Sequence, residues 1–137
     1  MIFPEGLPDH PARSASLASM RAVEAGDRDA WLALFAPDAV VEDPIGPSPF
    51  DPDGAGHRGI DAIAAFYDNV IASGSVRFTI RESWEAGPEV ANVGRISTTM
   101  ADGTVVHADG VFTYRINDAG QVLALRAYWS IERLTYG

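Results

Sequence analysis

The chain contains no cysteine and no lysine, and its ten basic residues, all arginine, face 19 acidic ones for a net charge of -9. The missing thiols exclude disulfide scaffolds, thiolate zinc sites, iron-sulfur clusters and cysteine nucleophiles. The scarcity of positive charge denies the chain the footprint that phosphate backbones require, so nucleic acid is not expected as a partner. No run of about eighteen apolar residues exists to cross a bilayer as a helix. The stretch from Met1 to Pro11 has neither the basic patch nor the apolar run of a signal peptide, which predicts a cytoplasmic location and a short flexible tail over residues 1–11. The three histidines, His10, His57 and His107, are far apart and form no H-x-H or H-x-x-x-H pattern, so no metal site is expected. Nucleophile-elbow, dinucleotide and Walker glycine patterns are also missing, and no cofactor is expected.

What remains is 137 residues with 47% hydrophobic content, enough for one well-buried core, and residues 1–137 are read as a single domain. Ala15, Leu17, Met20 and Val23 recur at helical spacing before Gly26, which predicts a first helix over 12–25. Asp27 then caps a second helix carrying Trp31, Leu34 and Phe35 and ending near Pro37. Ala39 to Glu42 reads as a short strand stopped by Asp43-Pro44. A proline- and glycine-rich loop follows, up to Gly59. Ile60, Ile63, Phe66, Tyr67, Val70 and Ile71 mark a third helix running to Gly74. Four long strands are predicted over 75–84, 90–100, 104–116 and 121–131, joined as antiparallel hairpins at Gly87-Pro88, Ala101-Asp102-Gly103 and Asn117 to Gly120. Three helices followed by a meander make an α+β order, with a curved antiparallel sheet wrapped around the helices as its most economical packing.

Asp43 stands out because alternation along the strand puts it on the same face as Val41. A carboxylate at the rim of an apolar cavity holds its proton more tightly, as a general base for carbon acids must. The competing reading is that Asp43 only starts the turn, a common role for Asp before Pro. His107 and Asp109 share a strand face, as a solvated pair or as a functional one. The aromatic residues, among them Trp31, Phe66, Phe112, Tyr114 and Trp129, fill a core, and where helices and sheet diverge they can wall a pocket for a flat apolar ligand. On the outer face of the last strands Arg115, Arg126 and Tyr128 have the composition of a protein interface.

Val41-Glu42-Asp43-Pro44 with Gly46, Ile63 to Tyr67 in the third helix and Arg126 to Ser130 in the last strand together resemble the bacterial ketosteroid isomerases. These belong to the nuclear transport factor 2-like, or SnoaL-like, superfamily. The resemblance runs from about Ala12 to Leu134 and includes Ala25-Gly26-Asp27. It implies a cone-shaped fold with an apolar pocket at its open end, a steroid-like ligand, and a homodimer through the outer sheet face. It implies steroid delta-isomerase activity, with Asp43 as the base that carries a proton from C4 to C6 of a 3-oxo-Δ5-steroid. In that family a tyrosine and a protonated aspartic acid stabilise the dienolate oxygen. The matching positions here are Ser19 and Phe112, which cannot make the same bonds. Tyr67, and after it Asp109 through a one-residue bulge at Gly110, are therefore the expected donors. Ser19, Phe66, Phe112 and Trp129 are expected on the pocket wall, and the longer loop through Pro52 to Gly56 is expected to alter the mouth. The alternatives are a non-catalytic steroid or polycyclic lipid binding protein, a polyketide cyclase-like enzyme, and an epoxide hydrolase using Asp43, Arg95 and Asp109.

Overall fold

The computed structural model describes residues 1–137 as three helices and a curved seven-stranded sheet. Helix α1 spans Pro11–Ala25, with Pro11 in its first turn, where a missing N–H costs nothing. His10, expected as a solvated residue of a tail, caps this helix by accepting from the Ala12 N–H at 3.1 Å. Gly26, at φ 67°, closes it in the left-handed conformation that glycine adopts freely. Helix α2, Arg28–Leu32, is capped by Asp27 as the sequence predicts, but stops short of Pro37. The chain straightens there because Phe35 already pairs with Val122, and strand β1 runs from Phe35 to Glu42.

Two residues of the long loop, His57–Arg58, form strand β2 against β1. Helix α3 spans Ile60–Asn69 and gives way to a 3-10 turn at Ile71–Ser73 before the expected end at Gly74. Strands β3 (Gly74–Ala86), β4 (Glu89–Met100), β5 (Val105–Ile116) and β6 (Val122–Tyr128) form the meander. Strand β6 ends three residues earlier than expected, and a short β7, Thr135–Tyr136, pairs with β5 beyond it. The order across the sheet is β2-β1-β6-β5-β4-β3. The pairing is not wholly antiparallel as expected, because β1 lies parallel to β6.

A diagonal of backbone without side chains bends this sheet. The β3–β4 register skips Arg81, between Ile80 and Glu82, opposite Gly94, which itself pairs with Gly110 of β5. A Cβ on Gly94 would lie 2.2 Å from the Thr79 carbonyl oxygen, and one on Gly110 would lie 2.1 Å from that of Tyr128. A bulge combined with glycines at close backbone approaches increases curvature locally, and here the concave face turns around α1 and α3.

Two apolar clusters fill the concavity. One gathers Trp31, Phe35, Val41, Ile63, Tyr67 and Leu125 among others at the closed end, and the other joins Met20 of α1 to Val76, Phe78, Ile80, Phe112 and Ala127 of the sheet. The first eleven residues are not a free tail. Ile2 exchanges backbone hydrogen bonds with Phe78 and Ile80, and the Met1 amine lies 3.1 Å from Glu24. Arg13, buried, donates to Ser83 and to Glu85, and Ser83 continues through Asn92 to Ser16. No helix is long and apolar enough to cross a membrane.

Candidate functional site

The helices and sheet leave a cavity of about 350 Å³, of which 18 of the 22 lining residues are hydrophobic. That volume lies within the range of small-molecule sites, and the lining suits a ligand with little polarity. Met20 and Val23 of α1, Val76 and Phe78 of β3 and Phe112 of β5 form much of its wall, while Phe50, Leu134 and Tyr136 also border it.

Asp43 enters this apolar space from the end of β1. The parity expected from the sequence holds, since Val41 is fully buried and Asp43 lines the cavity, whereas Glu42 faces outward to Arg126 at 3.4 Å. The Asp43-Pro44 peptide is cis. Trp129 leaves the sheet just after β6 and its Nε1 donates to Asp43 Oδ1 at 2.6 Å. Gly110 makes room for this turn, because a Cβ there would sit 3.2 Å from that of Trp129. None of the ion pairs in the chain involves Asp43.

Burial raises the Asp43 carboxyl above the usual carboxylate range, opposed by the Trp129 hydrogen bond and by the charge of His57. His57 is not a free loop residue. Its ring lies 4.6 Å from that of Phe66, and β2 pairs it with Val41. A carboxyl held this way is expected to titrate above an exposed aspartate when followed by 13C NMR of its carboxyl carbon. In Trp129→Phe, which removes the bond that favours the ionised form, the midpoint is expected to rise further. An unchanged or lower midpoint in that variant would contradict the account.

Four expected wall residues, Ser19, Phe66, Phe112 and Trp129, do line the cavity with Asp43. The two expected donors do not. Tyr67 sits on the other flank of the α3 stripe, 5.5 Å from Trp31 in the closed-end core, and has no place among the lining residues. Burial raises its phenol pKa, and its charged neighbours are Asp27, Arg28 and Asp68. Asp109 faces away from the cavity because the β4–β5 register runs without a shift through Gly110, so the parity-restoring bulge does not exist. Both Asp109 oxygens accept from Arg95 at 2.9 Å, which holds the carboxyl below its usual range. That pairing also separates Asp43 from Arg95 and Asp109 as an epoxide-hydrolase constellation. His107 on the same face meets Ser97 at 2.8 Å.

A polar group that the sequence places only among the aromatics of core or pocket wall, with no polar role, is Tyr114 of β5. Its hydroxyl lies 2.9 Å from Ser19 Oγ, which in turn accepts from Trp31 Nε1 at 3.0 Å. Tyr114 lines the cavity, and burial, together with the Asp43 charge, raises its phenol pKa well above the ordinary value despite the Ser19 bond. The outer-face residues fall where expected: Arg126 stacks 5.9 Å over the Tyr128 ring, and Arg115 is 4.0 Å from Glu89.

A SnoaL-like domain model matches residues 17–125. The chain belongs to the SnoaL-like family. Within it, this SnoaL-like chain is 30% identical over 119 residues to the steroid delta-isomerase of Nocardioides simplex, covering 86% of this chain and 89% of that protein. The Δ5-3-ketosteroid isomerase of a Mycobacterium species shares 44% identity and superposes with a TM-score of 0.90, covering 94% of this chain and all of the other. RV0760c of Mycobacterium tuberculosis, solved in complex with estradiol-17beta-hemisuccinate, shares 40% identity with a TM-score of 0.88, over 93% of this chain and 99% of that one. The cone fold of the nuclear transport factor 2-like superfamily is therefore shared along nearly the whole length.

Proposed function

We propose that this SnoaL-like protein isomerises 3-oxo-Δ5-steroids to their 3-oxo-Δ4 isomers, with Asp43 as the base. The observation that carries this reading is a carboxylate free of ion pairs, with burial-raised proton affinity, inside a cavity whose lining is otherwise almost entirely apolar. Such a group matches the acidity of a proton α to a ketone better than a solvated aspartate does. The ionised Asp43 takes a proton from C4; the C4–H electron pair forms the C3–C4 double bond, and the carbonyl electrons move onto the C3 oxygen. When the carbonyl re-forms, the double bond shifts to C4–C5 and C6 takes the proton back from Asp43. No atom is gained or lost, and the base returns to its starting form. The relatives named for this activity support the reading.

A second reading, steroid binding without turnover, is favoured by Phe112, which stands where the isomerases carry a hydrogen-bond-donating acid and offers no donor. The two separate in one experiment. With 5-androstene-3,17-dione deuterated at C4, a single carboxyl carrier delivers label to C6 of the conjugated product. Saturable binding with no conjugated product would leave the second reading standing in place of the first.

A further inference from the structure

The isomerase reading leaves one group unnamed: the donor that meets the oxygen of the ligand. Of the polar residues that border the cavity, Ser73 gives its hydroxyl hydrogen to the Val70 carbonyl at 2.6 Å, and the Trp129 N–H is taken by Asp43. Tyr136 is an exposed residue of the last strand, and Thr98 of β4 is only half-buried. Ser19 and Tyr114 remain in the interior, 1% and 4% exposed.

The Trp31, Ser19 and Tyr114 chain has one hydrogen too many. An indole N–H can only donate, so Ser19 Oγ is its acceptor, and a single Ser19–Tyr114 bond uses one of the two hydroxyl hydrogens. The other hydroxyl hydrogen has no acceptor within the chain, and a buried donor left unpaired costs about 1–3 kcal/mol. If Ser19 donates to Tyr114, the surplus hydrogen rests on the phenol, which lines the cavity with Asp43. The chain of donors then polarises in one direction, from indole to serine to phenol, toward the cavity.

We propose that Tyr114 is the oxyanion donor of this site, contributing from β5 the hydroxyl that the first helix lacks at Ser19, with Ser19 and Trp31 as positioning residues behind it. The proposal rests on the isomerase reading and supplies its missing half. A phenol aimed at the C3 oxygen would accept no proton and form no covalent bond; it stabilises the dienolate by hydrogen bonding alone.

The experiment follows 4-androstene-3,17-dione carrying 13C at C3, bound to the full chain, together with kcat for the Δ5 isomer. In the unaltered protein the C3 resonance is expected downfield of its position in apolar solvent, as hydrogen bonding polarises the carbonyl. Tyr114→Phe is expected to abolish most of that displacement and to lower kcat about 10²- to 10³-fold. Ser19→Ala keeps the phenol but removes its support, and is expected to move the resonance partway back, with a kcat loss of about threefold to tenfold and KM unchanged. This milder variant carries the test if Tyr114→Phe does not fold. A displacement that survives Tyr114→Phe but vanishes in Ser19→Ala would make Ser19 the donor and overturn the assignment, as would a C3 resonance in the unaltered protein no different from that in apolar solvent. Failure of the isomerase reading has a different signature, unaltered protein that gives no conjugated product. If labelled steroid still binds there and Tyr114→Phe alone erases the displacement, Tyr114 is retained as the ligand-oxygen donor of a binding site.

Discussion

Asp43→Asn is expected to reduce kcat for 5-androstene-3,17-dione by about 10³-fold while leaving the dissociation constant of 4-androstene-3,17-dione within a factor of about three, since a positioned general base contributes 10² to 10⁴. The substitution keeps the shape and leaves an oxygen for the Trp129 N–H, so that what disappears is proton affinity alone. Steady-state kinetics beside a steroid titration would show it, and a loss below about tenfold would remove Asp43 from the role of base. The same variant reads out in stability. Because burial raises the native carboxyl, the folded chain binds the proton more tightly than the unfolded one, and ionisation works against folding. The stabilisation contributed by the protonated acid is complete below the unfolded-state pKa and is lost as pH rises through the raised native value. Calorimetry is therefore expected to find Asp43→Asn more heat-stable than the parent near pH 8 and the difference gone near pH 3.

Trp31→Ala is expected to cost about 4 kcal/mol of folding stability, read from urea midpoints, in keeping with aromatic-to-alanine changes in cores. Trp31 is 1% exposed and packs edge-on to Phe35 at 4.7 Å and against Tyr67 at 5.5 Å. Helix α2 has only five residues, too few to hold itself together, so this indole is what anchors it between α1 and α3. Trp31→Phe fills most of the volume and is expected to lose about 1–2 kcal/mol, for the smaller ring and the bond to Ser19 Oγ. If the two variants proved equally costly, the hydrogen bond rather than the packing would dominate, contrary to this account.

Much of the fold was legible because its signals are local. Gly26 and Asp27 mark helix ends by backbone chemistry within a few residues, and the hairpin turns of the meander do the same. Asp43 was legible as an inward carboxylate because strand alternation needs only its neighbour Val41. The parallel pairing of β1 with β6 carries no turn signal, since its partners lie more than eighty residues apart, and it shortened α2 by recruiting Phe35. Ile2 docks on β3 through its backbone, which leaves no trace in side-chain pattern.

Tyr67 and Asp109 lie outside the cavity, against expectation, for a related reason. The apolar stripe of α3 has two flanks, one reaching the cavity with Phe66 and the other the core with Tyr67, and periodicity does not say which is which. For Asp109 the parity argument holds and the bulge at Gly110 does not exist; the register shifts of the sheet fall elsewhere, between Phe35 and Val40, between Ile80 and Glu82 and between Arg115 and Ile116. Tyr114 alternates as a core residue should. Only the hydroxyl of Ser19, 95 residues away, distinguishes it from a phenylalanine.

The crease through Gly94 and Gly110 has a consequence for how such a vessel diversifies. The depth of the hollow follows from main chain pressed against main chain, at positions that carry no side chain of their own. Wall residues such as Val76, Ile96 or Phe112 are then interchangeable upholstery: they can be resized for a different flat guest while the container keeps its form. Resizing Gly94 would do the reverse, opening the container without touching a single surface that the guest meets, whereas a side chain at Gly110 would also press on Trp129.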